Sequence, residues 1–385
     1  MYIKVKGYIN EEGKLIEDKV IQLDGDIIVG ILDDSDHVDV DYSSKYMMPG
    51  LIDCHTHIMF YPVADTIRAI DKASDTDLVV NAIKNLEALI RSGVTTIRDV
   101  GGVKHLELPL RKYIKDGIIL GPDLLAAGKL VTMTGGHGWT VGRESDGVDE
   151  VRKAVREQLK AGVDVIKVIS SGGVLTPGVD VNAYQFNIDE LSAAREEAHK
   201  AGRKICTHCH SLQGIKNSII AGIDSVEHAT IVDDEAIEMA LEHGTYFVPT
   251  LSAVHFIIEN GLEAGIPKEV MDKANSVSKS HIEGFMKSYK AGVKQAMGTD
   301  VGTPFNEHGF SSAFELELMV KAGMATCDAI KLATINAADL LGIKSTHGSI
   351  EVGKKANFIV LKDNPLEDIK TIQNLEYVYK NGQMI

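Results

Sequence analysis

Leu51-Ile-Asp-Cys-His-Thr-His57 is a short apolar run that ends in two histidines and is entered through Met48-Pro-Gly50. Read as a strand, it alternates, so His55 and His57 fall on one face. Two imidazoles so placed can grip one side of a metal ion. An isolated His-x-His pair is weak evidence for metal, since most strand-end histidines are simply hydrogen-bonded polar residues. Its weight here comes from what recurs downstream.

From 51 to about 350 the chain repeats one unit: a short apolar strand, a loop, then a helix-patterned segment that often closes at a glycine. Strands are predicted at 51–58, 95–100, 123–128, 163–169, 204–209, 224–228, 246–250 and 295–299. Helices are predicted at Thr76–Ser92, Glu150–Ala161, Asp189–Ala201, Gln213–Ala221, Asp234–Gly244 and Lys268–Ala291. The phrase Ala/Ser-Gly-Val/Ile at 92–94, 161–163, 221–223 and 291–293 supplies the helix stop and the turn into the next strand. Eight strands alternating with helices predict an α/β fold, a closed (β/α)8 TIM barrel. No GxGxxG follows the first strand, so a dinucleotide site lacks its main support.

The chain ends read differently. Tyr2-Ile-Lys-Val-Lys6, Lys19-Val-Ile-Gln-Leu23 and Asp26-Ile-Ile-Val-Gly-Ile31 have strand grammar, which returns in Asn357-Phe-Ile-Val-Leu361 and Leu375-Glu-Tyr-Val-Tyr-Lys-Asn-Gly382. Lys380-Asn-Gly-Gln383 reads as a hairpin turn. Neither end can bury a good core alone. The two are therefore expected to meet in one small β-sandwich, 1–50 and 351–385, flanking a barrel of 51–350.

Composition bounds the function. The 385 residues are 44% hydrophobic and 25% charged, as in ordinary soluble globular proteins. A formal charge of -15 argues against nonspecific nucleic-acid binding and against docking on an anionic membrane. Cys54, Cys206, Cys209 and Cys327 form no compact metal array and read as reduced interior thiols. The N terminus has no basic segment leading into an apolar one, so the expected location is cytoplasmic, and a homo-oligomer is compatible with everything above.

In a barrel, reactive side chains collect at the C-terminal ends of strands. His55 and His57 end the first strand, and Lys167 interrupts the otherwise apolar fourth. His208 and His210 end the fifth, His228 the sixth, and Asp300 the eighth. Each has an ordinary reading as a capped or paired polar residue. Together they leave several ionisable groups converging on one barrel mouth. Imidazoles and carboxylates suit zinc, manganese or iron(II), and the absence of a thiolate set argues against a closed structural zinc site. A free Lys167 ammonium among such ligands would be repelled and costly to bury. Carbon dioxide could convert its amine to a carbamate, N6-carboxylysine, able to bridge two cations.

Pro49-Gly-Leu-Ile-Asp-Cys-His-Thr-His57 resembles the opening metal motif of the amidohydrolase superfamily. Gly93-Val-Thr-Thr-Ile-Arg-Asp-Val100, Val165-Ile-Lys-Val168, Thr207-His-Cys-His210, Val226-Glu-His228 and Gly298-Thr-Asp300 resemble its later motifs in strand order. Thr134-Gly-Gly-His-Gly138, His308-Gly309 and Glu315-Leu-Glu-Leu-Met319 are similar to the imidazolonepropionase-related, prolidase-like group of Xaa-Pro and Xaa-Arg dipeptidases and carboxypeptidases. The resemblance implies two divalent ions, zinc foremost, held by His55, His57, carboxylated Lys167, His208, His228 and Asp300. A metal-bridging hydroxide would then attack the amide bond of a dipeptide or N-acyl amino acid.

In that reading Asp300 is general base and proton donor, and His137 steadies the substrate carbonyl or carboxylate. His210, Arg143 and Tyr184 are further substrate-binding candidates, with His255 beside them on the rim. Asp53 is expected to face inward as a partner below the metals, and Glu227 to face away. The segments Met59–Ala64, Gly138–Gly147, Pro177–Tyr184 and Leu251–Pro267 are expected as rim loops. The substrate expected is a small molecule or dipeptide with a free carboxylate. Xaa-Pro leads, with Xaa-Arg or Xaa-Lys close behind. A cyclic-amide hydrolase, a lactonase and a non-catalytic scaffold are the alternatives.

Overall fold

Phe358-Ile-Val-Leu361 is buried on both faces, and alternation gives each face a different core. Phe358 and Val360 pack with Tyr42, Met47 and Tyr379. Ile359 and Leu361 join the large cluster that includes Leu51, Val94 and Ile166. One strand thus lies between a small core and the main one. The computed structural model describes residues 1–385. In it this strand belongs to a seven-stranded sheet drawn from both chain ends. The order is Gln383–Met384, Tyr377–Lys380, Phe358–Leu361, Val40–Pro49, Tyr2–Ile9, Leu15–Asp24, Ile27–Leu32. Val40–Pro49 had no counterpart among the segments read from sequence, because its polar first half, Val40-Asp-Tyr-Ser-Ser44, hides the apolar period. The predicted hairpin turn is present: Lys380 pairs with Gln383, and Asn381 and Gly382 have φ of 51° and 74°. Both are positive, as a type I′ turn requires.

The rest of the α/β fold is a (β/α)8 barrel. Seven of its strands form ladders: Leu51–Thr56, Val94–Asp99, Asp123–Ala126, Val165–Ile169, Lys204–Cys209, Ser225–His228 and Tyr246–Val248. The expected eighth, 295–299, forms none, and it closes the ring through single hydrogen bonds instead. Phe247 N donates to Lys294 O at 2.9 Å on one side. On the other, Cys54 N donates to Met297 O at 2.9 Å and Asp300 N to His55 O at 2.7 Å. The cause is local: Asp300 is left-handed (φ 60°), and a Cβ on Gly298 would stand 2.7 Å from that of His55. Close approach has replaced the regular ladder.

The six expected helices are all present, shifted by a few residues at most, and Lys268–Ala291 keeps both predicted ends. Ser74 starts Asp75–Arg91 with a capping box to Asp77. One expectation fails. The first part of the 251–267 rim loop is the helix Leu251–Asn260, an apolar stretch that packs rather than loops. Its first amides, Leu251 N and Ser252 N, both donate to the buried Glu315 carboxyl at 2.7 Å. No helix is long and apolar enough to cross a membrane.

Candidate metal centre and active site

The C-terminal ends of the strands converge on one cavity lined by His55, His57, His137, Lys167, His208, His210, His228 and Asp300. Asp300 Oδ1 lies 3.3 Å from His55 Nε2 and 3.1 Å from His57 Nε2. Burial alone would raise its pKa, but the two imidazoles outweigh burial and hold the carboxyl well below the usual range. Ring nitrogens of His208, His210 and His228 come within 4.8 Å of one another, as do donor atoms of His55, His228 and Asp300. His228 belongs to both groups, so they form one continuous donor surface.

The backbone leaves extended conformation where these side chains emerge. His228, Thr250 and Asp300 have φ of 69°, 55° and 60°, unusual for residues bearing a Cβ. The left-handed turn at His228 has a consequence that alternation could not foresee. Glu227 does not face away: its Oε2 meets His55 Nδ1 at 2.9 Å.

Five imidazoles have Nδ1 engaged. His55 meets Glu227, and His57 meets Gly101 O at 3.3 Å. His137, His210 and His228 meet the hydroxyls of Thr176, Thr230 and Thr250 at 2.8, 2.7 and 2.7 Å. His208 is turned round, its Nε2 lying 3.2 Å from Gly172 O. Burial first, then neighbouring imidazoles, keeps His208, His210 and His228 well below the ordinary histidine pKa. Burial also lowers His137, to about 4. Neutral imidazoles with one nitrogen anchored and the other free are the form that binds cations.

Lys167 supplies the test of whether this pocket fits metal. It is 2% exposed, and its Nζ has no hydrogen-bond partner. Burial lowers its pKa from the ordinary lysine value. A buried amine without a partner, facing histidines and one carboxylate, is costly as it stands. The same donors, all nitrogen and oxygen, suit divalent ions, so the residues fit a metal centre.

Other expected site residues are placed elsewhere. Arg143 is absent from the cavity lining; its guanidinium is held at 2.9 Å by both Glu150 and Glu157 on the barrel flank. Tyr184 is 53% exposed and lies outside the lining. His255 lies on the far side of the helix Leu251–Asn260, against Phe256 and Phe314. Asp53 accepts from Thr299 Oγ1 at 2.6 Å and Ser312 Oγ at 2.9 Å, which ties it to the segment leading into Asp300 rather than to an imidazole ring.

Sequence reasoning missed Arg98. It is fully buried in Val94–Asp99 and donates to Glu227 Oε1 at 2.8 Å, Cys54 O at 2.5 Å and Ser225 Oγ at 3.1 Å. A lone cation in an apolar strand is the same signal that singled out Lys167.

Comparison with known proteins agrees with this geometry. Residues 46–385 match the model of the Amidohydrolase family. The ochratoxinase of Aspergillus niger is 34% identical over 373 residues, covering 88% of this chain and 75% of that protein. Among solved structures, a Xaa-Pro dipeptidase with methionine bound in its active site superposes with a TM-score of 0.94 at 34% identity, covering 100% and 99% of the two chains. A prolidase complexed with N-methylphosphonate-L-proline gives 0.93 at 28% identity, covering 100% and 98%.

Proposed function

The chain belongs to the amidohydrolase family and is a metal-dependent hydrolase, and on that premise we propose that it cleaves the amide bond of dipeptides or N-acyl amino acids, Xaa-Pro foremost. Residues 51–350 are the catalytic unit in this reading, with 1–50 and 351–385 as the flanking sandwich. His55, His57, Lys167, His208, His228 and Asp300 would hold two divalent ions, zinc foremost and manganese or iron(II) as alternatives. Addition of carbon dioxide to the neutral Lys167 amine, with loss of one proton, gives the carbamate that would complete the set. Such ions supply Lewis acidity toward a carbonyl and lower the pKa of water.

The chain's own residues do the rest. Asp300, the one carboxylate in the cavity, would accept a proton from attacking water and return it to the departing amine. His137 and His210 present ring nitrogens into the cavity to hold the substrate carbonyl or carboxylate. Around them the wall is apolar: Phe60, Ile67, Leu130, Val141, Val174, Leu175, Ala253, Val254 and Ile257. Asp300 is the only carboxylate in that lining. A substrate guanidinium or ammonium would be desolvated there without a free counter-charge, which disfavours arginine and lysine. Apolar or proline-bearing substrates fit, in keeping with the bound groups of the dipeptidase and prolidase relatives.

The observation that carries the proposal is a partnerless buried lysine among histidines and one carboxylate, beneath an apolar wall. Its test is a kinetic screen of Xaa-Pro, Xaa-Leu, Xaa-Phe, Xaa-Arg and Xaa-Lys dipeptides and their N-acetyl counterparts, with a lactone and imidazolonepropionate as controls. The expected result is kcat/KM above ~10⁴ M⁻¹s⁻¹ on the proline or apolar set. Activity of that size on the lactone or cyclic amide alone would overturn it.

A further inference from the structure

Four helices of the barrel begin in the same way. Ser74, Asn187, Ser211 and Asp233 stand before them in extended conformation, and each side chain accepts from the amide three residues on. That is the ordinary N-cap. The helix Leu251–Asn260 is also preceded by a capping residue type, Thr250, yet its side chain caps nothing. Thr250 is left-handed (φ 55°, ψ 48°), a region that a β-branched residue rarely enters, and its Oγ1 lies 2.7 Å from His228 Nδ1. The first amides of the helix are served from elsewhere in the chain. Leu251 N donates to Glu315 Oε1 and Ser252 N to Glu315 Oε2, both at 2.7 Å.

We propose that Glu315 is a positioning residue of the metal centre: it caps the helix in place of Thr250, and so leaves the Thr250 hydroxyl to orient the His228 ring. A threonine cannot do both. Its oxygen reaches the amides of its own helix from extended backbone, whereas the left-handed turn directs it at His228. Without Glu315 two buried amides would lack acceptors. A return of Thr250 to the extended cap would then satisfy its own helix at the expense of His228. The consequence for metal rests on the reading of His228 as a ligand; the exchange of caps stands on the hydrogen bonds alone.

The surroundings hold the arrangement in place. Glu315 is fully buried, and burial pushes its pKa up to about 8 against the pull of the two amides. In either form both oxygens keep a lone pair for an N–H. One turn earlier on the helix Ser311–Lys321, Ser312 Oγ donates to Asp53 at 2.9 Å, and Asp53 in turn holds Thr299, the residue before Asp300. Ser252 Oγ donates to Thr299 O at 3.0 Å. On the other side of Thr250, His281 of the helix Lys268–Ala291 donates from Nε2 to Pro249 O. Side chains of two later helices thus grip the Thr250 turn from both ends. The helix that carries Glu315 also carries the tie to the segment of Asp300.

The experiment compares wild type with Glu315→Gln, Thr250→Gly and the double variant, all as zinc-loaded full chains. Glutamine matches the shape but offers one acceptor oxygen, and glycine keeps the left-handed turn without the hydroxyl. Zinc retention is read by titration with a chelator, and thermal midpoints on the same samples. Glu315→Gln and Thr250→Gly should each hold zinc about 10-fold more weakly, the lower end for a lost outer partner of a metal-bound histidine. The double variant should match Thr250→Gly alone to within about threefold, because both changes act through one hydroxyl. A lower thermal midpoint with wild-type zinc retention in Glu315→Gln would make Glu315 a helix cap only and overturn the proposal. Losses that multiply in the double variant would overturn it too. The crystal structure of Glu315→Gln reads the turn without metal: Thr250 should be extended, with Oγ1 withdrawn from His228, and an unchanged 2.7 Å contact would count against the proposal. Should Glu315→Gln not fold, Glu315→Asp, which keeps both oxygens on a shorter arm, goes through the same measurements. A wild type that retains no zinc would instead sink the assignment of His228 as a ligand, so the two failures are separable.

Discussion

Glu227 Oε2 stands 2.9 Å from His55 Nδ1 while Glu227 Oε1 takes Arg98 Nη2 at 2.8 Å, so one fully buried carboxylate both balances a buried cation and aims an imidazole. Burial opposes the charge on Glu227, yet Arg98 and His55 hold its pKa down to about 2. Ser225 Oγ also donates to Oε1, at 2.6 Å. With Nδ1 so held, the His55 ring presents Nε2 toward Asp300.

Glu227→Gln keeps the shape and removes the charge. Arg98 then loses its counter-charge in the barrel interior, a change of ~3–5 kcal/mol in comparable buried pairs. His55 loses its orienting acceptor, which in metal sites weakens binding by about 10- to 100-fold. Lower thermal stability is expected together with loss of metal to a chelator at concentrations the wild type withstands. Elemental analysis after graded dialysis reads the second effect, and wild-type retention would remove Glu227 from any role at the metals.

Lys167→Ala removes the proposed bridge. Metal should fall from about two equivalents towards one or none, with activity lost alongside. Because only a carboxylate is missing, acetate or formate should restore part of both. Failure of every short acid to restore either metal or rate would argue that the lysine acts as a plain amine.

Asp300→Asn retains an oxygen but cannot accept a proton at neutral pH. The expected loss in kcat/KM is at least ~10², the lower end for general acid–base catalysis. Metal content is measured on the same sample. A fully metallated variant with near-normal kcat/KM would place proton transfer elsewhere.

The barrel and its donors were legible because they obey short-range rules. Period-2 alternation and strand-end position were enough to select His55, His57, Lys167, His208, His210, His228 and Asp300, while His137, in a loop, was reached only through the family resemblance. Reading failed where the chain departs from those rules. Glu227 was assigned to the wrong side because His228 is left-handed, and 295–299 lost its ladder at Gly298 and Asp300. The place of Arg143 in a rim loop points to the pocket, but Glu150 and Glu157 capture its guanidinium. Those partners sit 7 and 14 residues further on, in the helix Gly147–Ala161, and only folding brings them round. The helix Leu251–Asn260 depends similarly on Glu315, more than fifty residues away.

One partly buried carboxylate, that of Asp123, ties the terminal sheet to the barrel. Asp123 opens the third barrel strand, and its carboxylate meets Lys380 of the sheet at 3.1 Å and His347 at 3.3 Å, with Lys355 at 3.8 Å. Lys380 also donates to Gly121 O at 2.6 Å. Burial would raise the Asp123 pKa, but His347, Lys380 and Lys355 outweigh it and hold the carboxyl below the usual range. A carboxyl depressed in the folded state contributes stability above its unfolded pKa, about 3.9, and loses it as pH falls through the folded value. Asp123 keeps 29% of its side chain exposed, so solvent screens part of the interaction. Asp123→Asn should therefore cost about 1–3 kcal/mol at pH 7, between the values typical of exposed and of buried pairs. The gap between wild type and variant should persist down to about pH 4 and narrow below it, as the carboxyl of the unfolded wild-type chain takes up its proton while the folded one is still ionised. Thermal midpoints of both proteins between pH 7 and 3 measure that gap directly. A gap that widens on acidification would mean that Asp123 is not held as an anion by these cations.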